Sequence, residues 1–134
     1  DTTGITSYYI DVFNQGMLIQ YAFNYADIHR PQLKQAKTVG ELLAMLPDDQ
    51  TLIEDFANFA SRKAGIAPRW YYINISQGLI VNQLKALIAR DALGTSAYYE
   101  VFNNTDNVVR QALQTFAGGY AKAPVKIDKL GKKR

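Results

Sequence analysis

The chain contains no cysteine among its 134 residues, and it has only one histidine and one tryptophan. Without cysteine there is no disulfide, no thiolate nucleophile and no cysteine-ligated zinc. The charged residues interrupt every apolar stretch before it reaches the ~18 residues of a membrane span, so we predict no span. The N-terminus also lacks the basic, apolar and small-residue regions of a signal peptide.

The chain opens with Asp1-Thr2-Thr3 and its first methionine is Met17, so we expect a piece cut from a longer protein. Its length suits one domain that buries most of its apolar surface without help from metals or disulfides. We predict a single helical domain over residues 1–120, followed by a basic C-terminal tail over residues 121–134.

The net charge of +3 is unevenly distributed along the chain. Residues 122–134 hold six of the 15 basic residues and one of the 12 acidic residues. The rest of the chain is therefore slightly acidic, whereas nucleic-acid binding needs a basic face on the folded surface. We expect no nucleic-acid partner.

The first half of the sequence has a helical pattern throughout. Apolar residues recur at three- and four-residue steps from Thr6 to about His29, which predicts one long helix that ends before Arg30-Pro31. Residues 38–41 match a capping box for a short helix closed by proline. A further helix starts after Asp48 or Asp49 and ends at a left-handed glycine, Gly65.

The second half contains the strongest helix pattern, over residues 76–93, with Ser76 as its predicted cap. Its apolar arc is wide enough to indicate a largely enclosed helix and consists of Ile80, Val81, Leu84, Leu87, Ile88 and Ala92. We interpret residues 66–75 as a connector across the core, because proline and β-branched residues favour an extended form there. Thr95 or Ser96 would cap a short helix, and a last helix would run from about residue 105 to 116.

No segment alternates between apolar and polar residues as a half-buried strand does. The sequence therefore predicts an all-α fold, an irregular orthogonal bundle of five or six helices joined by short connections. No internal repeat is present.

Three stretches together resemble the C-terminal extension of long-form carboxyl-terminal processing peptidases, also called tail-specific proteases. They are Asp1-Thr2-Thr3, the run Gln-Leu-Lys-Ala-Leu-Ile-Ala-Arg-Asp at residues 83–91, and the string Tyr-Tyr-Glu-Val-Phe-Asn-Asn-Thr-Asp at residues 98–106, followed by Ala112-Leu113. The resemblance covers most of residues 1–117, although most of its letters are apolar helix formers.

The resemblance implies a parent protein with a PDZ domain and a serine peptidase core ahead of this helical extension. It implies a Ser-Lys dyad, location in the periplasm or cell envelope, and cleavage of protein or peptide substrates near their C-termini. The dyad would lie upstream, so no catalytic residue is carried over to this chain and we expect it to be inactive alone. The partners implied are the upstream domains of the same chain.

The side chains of the chain itself form no convincing catalytic pattern. A serine needs a neighbouring base, and Ser7, Ser61, Ser76 and Ser96 all fall at predicted helix starts or on polar helix positions. The single histidine, His29, has no second histidine near it with which to bind a metal. We expect its partly charged imidazole to interact favourably with the dipole at the C-terminal end of its helix. We predict no catalytic residue, no cofactor and no metal.

Six residues are candidates for a structural or recognition role. Asp91 falls inside the apolar arc, so its carboxylate needs backbone amides, a tyrosine or an arginine as partners, and Arg90 is adjacent. Trp70, Tyr71, Tyr98 and Tyr99 belong to aromatic clusters that, with Tyr8-Tyr9, either pack in the core or against another domain, or line a peptide groove. We expect one member of each adjacent aromatic pair near the surface.

Two functions follow from these observations. The first is a noncatalytic domain that buttresses the protease core of an envelope peptidase and helps to bind substrates or partners. The alternative is an independent helical module that binds peptides or proteins through its exposed aromatic residues.

Overall fold

The structure is a computed structural model that describes residues 4–105, and the predicted all-α class is confirmed for them. These residues form seven helices and no strand: α1 Ser7–Asn14, α2 Met17–Ile28, α3 Arg30–Leu33, α4 Val39–Met45, α5 Asp49–Ala64, α6 Trp70–Leu93 and α7 Thr95–Asn103. The opening Asp1-Thr2-Thr3, the predicted last helix to residue 116 and the basic tail lie outside the described residues.

The long helix α6 forms the centre of the bundle. It contacts α1, α2, α4, α5 and α7. The predicted apolar arc is buried from Ile80 to Ile88, and Ala92 at its end is half-buried. Because neighbours surround α6 on several sides, buried residues occur around most of its circumference, as the wide arc predicted.

The prediction of one long first helix was wrong. The helix breaks after Asn14, because Gly16 adopts the left-handed conformation with φ of 73° that ends a helical run. The predicted end before Arg30-Pro31 is confirmed, since α2 ends at Ile28. A further short helix that was not predicted, α3, follows, and Pro31 occupies its first turn, where the missing N–H of proline costs nothing. These two features raise the number of helices above the predicted five or six.

The interpretation of residues 66–75 as an extended connector was wrong for its second half. Only residues 66–69 are non-helical, and α6 begins at Trp70. Ser76 therefore lies inside the helix rather than at its cap. The predicted caps of the next helix were also wrong, since Gly94 is the N-cap of α7 and Thr95 is its first residue.

Three predicted helix ends are confirmed. The backbone N–H of Glu41 donates to Thr38 Oγ1 at 3.1 Å, and that of Thr51 donates to Asp48 Oδ1 at 2.8 Å. The carboxylate of Glu41 accepts from the N–H of Lys37 at 2.8 Å, one residue before the position expected in a capping box. Gly65 ends α5 with φ of 68°.

Ser76 fixes the segment that leads into α1. Its side chain is fully buried and its hydroxyl donates to the carbonyl of Gly4 at 2.5 Å. The hydroxyls of Ser76 and Thr6 lie 2.8 Å apart, and Thr6 Oγ1 also caps α1 by accepting from the N–H of Tyr9 at 3.2 Å. The start of α1 is thereby tied to the first half of α6.

Among the helices of residues 4–105, none combines the length and the apolar character that crossing a membrane requires. This agrees with the sequence-based expectation for that part of the chain.

Candidate functional site

A cleft of about 330 Å³ opens where α2, α5 and the last turns of α6 meet. We call it the α2–α5–α6 cleft, and its lining residues are Ile19, Gln20, Phe23, Asn24, Phe59, Lys63, Arg90 and Asp91. The helical repeat explains why these residues meet: the four from α2 and the two from α5 recur at four-residue spacing along one side of each helix. The cleft therefore presents apolar, amide and charged groups side by side.

Two oppositely charged side chains form the wall of the cleft contributed by α6. Arg90 Nε lies 3.7 Å from Asp91 Oδ1, and the side chains are only 16% and 21% exposed. Burial raises the pKa of the Asp91 carboxyl above its usual range, and the positive charges of Arg90 and Arg30 oppose that rise only in part. The contact with arginine was one of the partnerships predicted for Asp91.

The ion pair with Asp91 approaches one edge of the arginine. Within residues 4–105, the closest contact of that pair is made by Nε, at 3.7 Å, and not by an Nη atom. The two Nη atoms form the planar end of the guanidinium that binds a carboxylate through two parallel hydrogen bonds. Asp91 is thus closest to the Nε edge of the guanidinium. The Nη edge is the one that could bind an anion.

The wall contributed by α5 carries a second positive charge above an aromatic ring. Lys63 Nζ lies 6.0 Å from the centroid of the Phe59 ring. None of the ion pairs within the described part of the chain involves Lys63. On the opposite wall Phe23 is 60% exposed, an unusual position for so large an apolar side chain.

Only two of the six candidate residues from the sequence, Arg90 and Asp91, lie in this cleft. Trp70 and Tyr71 are exposed on the first turn of α6, at its other end. Tyr98 is buried in α7, where its ring stacks on Phe102 with centroids 6.0 Å apart. Tyr99 is more than one third exposed, and its ring meets that of Tyr98 edge to face at 5.2 Å.

The expectation that one member of each adjacent aromatic pair lies near the surface was half right. It is confirmed for Tyr98 and Tyr99. It is wrong for Tyr8 and Tyr9, which are both buried because α6 and α2 enclose α1 on more than one side. That pair therefore lines no exposed groove.

The serine hydroxyls and Lys85 lie in different surroundings. Ser76 is bound to Thr6 and Gly4, whereas Lys85 Nζ pairs with Asp49 Oδ1 at 2.8 Å. Ser7 accepts from Arg69 at 3.3 Å. The remaining two serines are half-buried at residue 61 and exposed at residue 96. The hydroxyls of Ser7 and Ser76 thus have structural partners.

His29 joins α2 to α3 and its ring packs on that of Tyr25 with centroids 4.2 Å apart. Residues 4–105 contain no group of three or more histidine, aspartate or glutamate side chains placed to hold a metal.

The sequence did not single out the residues that α2 and α5 contribute to the cleft. Phe23 was counted in the apolar repeat of one continuous helix. The break at Gly16 sets the phase of α2, and its buried face then passes through Leu18, Tyr21 and Ala22, which leaves Phe23 outside. The sequence did contain one signal for this site, because Phe23 lies beside the amide residues Gln20 and Asn24 on the polar side of its helix.

The fold and the cleft define a small all-α domain with a surface cleft of mixed apolar, amide and charged lining. The chain belongs to a family of unknown function (DUF8443), whose family model matches residues 8–94. The matched range includes every residue that lines the cleft and the whole of α6. No curated protein and no solved structure matches the chain.

Proposed function

We propose that this chain is the noncatalytic helical domain at the C-terminal end of a carboxyl-terminal processing serine peptidase of the periplasm or cell envelope. Its role is to buttress the protease core of the same protein and to help bind the substrates or partners of the parent. The sequence support is the resemblance of residues 83–91 and 98–106 to the helical extension of that family. The structural support is an exposed aromatic patch.

The patch lies on the first turns of α6 and consists of Trp70, Tyr71, Tyr72 and Ile75. Tyr71 is 74% exposed, and the other three are each more than one third exposed. Large aromatic side chains supply most of the binding energy in protein interfaces, because they bury much area and lose few rotatable bonds. Three exposed aromatic side chains and one exposed isoleucine close together favour a function in packing against another domain.

The patch adjoins the segment that leads into α1. The carbonyl of Ile75 lies close to Gly4, where an added Cβ would be 3.4 Å from it. Arg69 joins the two elements, since it pairs with Asp11 at 3.1 Å and stacks over the Tyr72 ring at 5.3 Å. A domain that precedes α1 in the chain would emerge beside this patch, which is the position that a buttress requires.

The reading frame ahead of Asp1 is the first test of this proposal. A PDZ domain and a serine peptidase core encoded there support it. An export leader with no further domain would contradict it and favour the independent binding module.

The patch is tested in the parent protein with the double variant Tyr71→Ser plus Ile75→Ser. We expect its protease core to unfold at a lower temperature, because the interface loses its anchors. The matched control is Phe23→Ser plus Ile28→Ser, which removes two exposed apolar side chains from α2. Equal melting of both variants and the wild type in calorimetry would contradict the role of the patch. The chain alone should cleave no peptide.

A further inference from the structure

We infer that the α2–α5–α6 cleft binds a short acidic segment of a protein partner, with an apolar side chain against Phe23 and Phe59 and a carboxylate between Arg90 and Lys63. This inference does not rest on the proposed function, since it uses residues at the opposite end of α6 from the aromatic patch.

The charges of the cleft select an anion. Lys63 and Arg90 supply two positive charges, and Asp91 supplies one negative charge that already lies against Arg90 Nε. The residues that line the cleft therefore carry one positive charge in excess, beside the guanidinium of Arg90. A single carboxylate neutralises that excess and matches the planar end of the guanidinium.

The apolar groups require that the anion carry an apolar neighbour. Ile19 and Phe23 from α2 and Phe59 from α5 line the cleft, and of the two rings Phe23 is 60% exposed whereas Phe59 is buried. A fully hydrated anion such as phosphate would leave the Phe23 ring in water, whereas an apolar side chain next to the carboxylate would bury it. The cleft therefore fits a ligand that is charged at one end and apolar at the other.

Two side-chain amides favour a peptide over a fatty acid. Gln20 and Asn24 are exposed one helical turn apart on α2 and line the same cleft. Within residues 4–105 neither amide group makes a side-chain hydrogen bond. Each can both donate and accept, which suits the N–H and C=O groups of a peptide backbone. A hydrocarbon chain would leave both amides unused.

The test uses the 134-residue chain and short blocked peptides observed by NMR chemical-shift titration. The probe is acetyl-Leu-Glu-Leu-amide, and the matched neutral probe is acetyl-Leu-Gln-Leu-amide. We expect the acidic probe to shift the backbone amides of Gln20, Phe23 and Asn24 and to bind roughly tenfold more tightly than the neutral probe, because the charge-assisted hydrogen bonds are lost in the latter. A third probe, Leu-Gln-Leu with a free C-terminal carboxylate, distinguishes a terminal from a side-chain carboxylate, and octanoate tests the lipid source.

Two pairs of variants locate the site. Lys63→Gln should weaken binding of the acidic probe about threefold, because one partly exposed ion pair is lost. The control Lys34→Gln, in the connection between α3 and α4, should not change that binding. Phe23→Ala should weaken binding of both blocked probes, whereas Ile28→Ala, on the same helix and equally exposed, should not. All four positions are exposed or lie on helix surfaces, so the variants are expected to fold, and their spectra report this directly.

Several results would overturn the inference. They are equal affinity for the acidic and neutral probes, binding of octanoate more tightly than either peptide, no chemical-shift change up to about 10 mM peptide, and identical losses in the variants and their controls. Any of these outcomes leaves the packing role of the aromatic patch unaffected.

Discussion

At the scale of single residues, the two buried tyrosines of α1 differ in how their hydroxyls are satisfied. The Tyr9 hydroxyl donates to Gln83 Oε1 at 2.7 Å, in a fully enclosed contact between α1 and α6. The Tyr8 hydroxyl is equally buried but has no hydrogen-bond partner among residues 4–105, and neither has Gln83 Nε2. Removal of the two hydroxyls should therefore have opposite effects on stability.

Tyr8→Phe should raise the free energy of unfolding by about 1 kcal/mol, because it removes a buried polar group that makes no hydrogen bond. Tyr9→Phe should lower the free energy of unfolding by about 1–2 kcal/mol, because the buried Oε1 of Gln83 then loses the hydrogen bond that the Tyr9 hydroxyl donates. The two variants are matched controls, since each removes one oxygen atom from neighbouring positions of the same helix. Urea unfolding followed by circular dichroism measures both, and a loss of stability in Tyr8→Phe would contradict the argument.

Residue-level prediction from sequence succeeded where a single position broke a pattern. Asp91 was found because a carboxylate on an apolar arc needs a partner, and the structure supplies Arg90. Lys63 and Asn24 follow the polar pattern of their helices, so nothing in the sequence marks them. Their placement opposite Arg90 depends on how α2 and α5 pack on α6, and a periodicity argument contains no information about that.

At the scale of helices, Gly94 controls the corner between α6 and α7. It is the single residue between them, and its φ of 104° and ψ of 174° belong to a region that only glycine adopts readily. No heavy atom lies within 4 Å of the Cβ that a substitution would add. The cost of a side chain at this corner is therefore backbone strain alone.

Gly94→Ala should destabilise the domain by about 1–3 kcal/mol through this strain. Gly40→Ala should stabilise it by about 0.5–1 kcal/mol, because Gly40 is exposed within α4 and alanine is the better helix former. An alanine Cβ at residue 40 would meet only Thr38 Oγ1, at an ordinary 3.9 Å. Thermal unfolding of both variants tests the pair, and a destabilised Gly40→Ala with an unchanged Gly94→Ala would refute it.

Prediction of whole elements succeeded where caps and periodicity agreed and failed where local and tertiary forces competed. The helices α4 and α5 were predicted with their caps, since Thr38 and Asp48 precede clear apolar repeats. The first turns of α6 were missed because aromatic and β-branched residues favour strands locally. Burial of Ile73 and Ser76 against α1 stabilises the helix there instead.

At the scale of the molecule, α6 separates the two surfaces for which we propose binding roles. Trp70 begins the helix and Arg90 lies in its last turn, so the patch and the cleft are about 30 Å apart along the axis. A partner on the cleft and a domain on the patch would therefore not compete for space. One rigid helix that contacts most of the other elements can also hold both surfaces in a fixed relation.

The whole domain should lose stability at alkaline pH because several tyrosines are buried in it. Burial raises the pKa of Tyr8 to about 12, against an opposing effect of Arg69, and raises the pKa of Tyr98 to about 12. Burial, and then a hydrogen bond of 2.6 Å to Asp55, raise the pKa of Tyr21 as well. The unfolded chain releases these protons near the ordinary value of 10.0, before the folded chain does.

The unfolded chain therefore ionises first, which sets the direction in which stability changes with pH. Below pH 10.0 both states keep the phenolic protons, so these tyrosines add no pH dependence; as the pH rises from there towards 12 the unfolded state alone ionises and stability falls. Tyr8 and Tyr98 should each account for a loss of about 1.4 kcal/mol per pH unit over most of that interval. Urea titrations across the interval measure the slope. Tyr8→Phe and Tyr98→Phe should each flatten the slope. A slope that both variants leave unchanged would show that these hydroxyls are not protected.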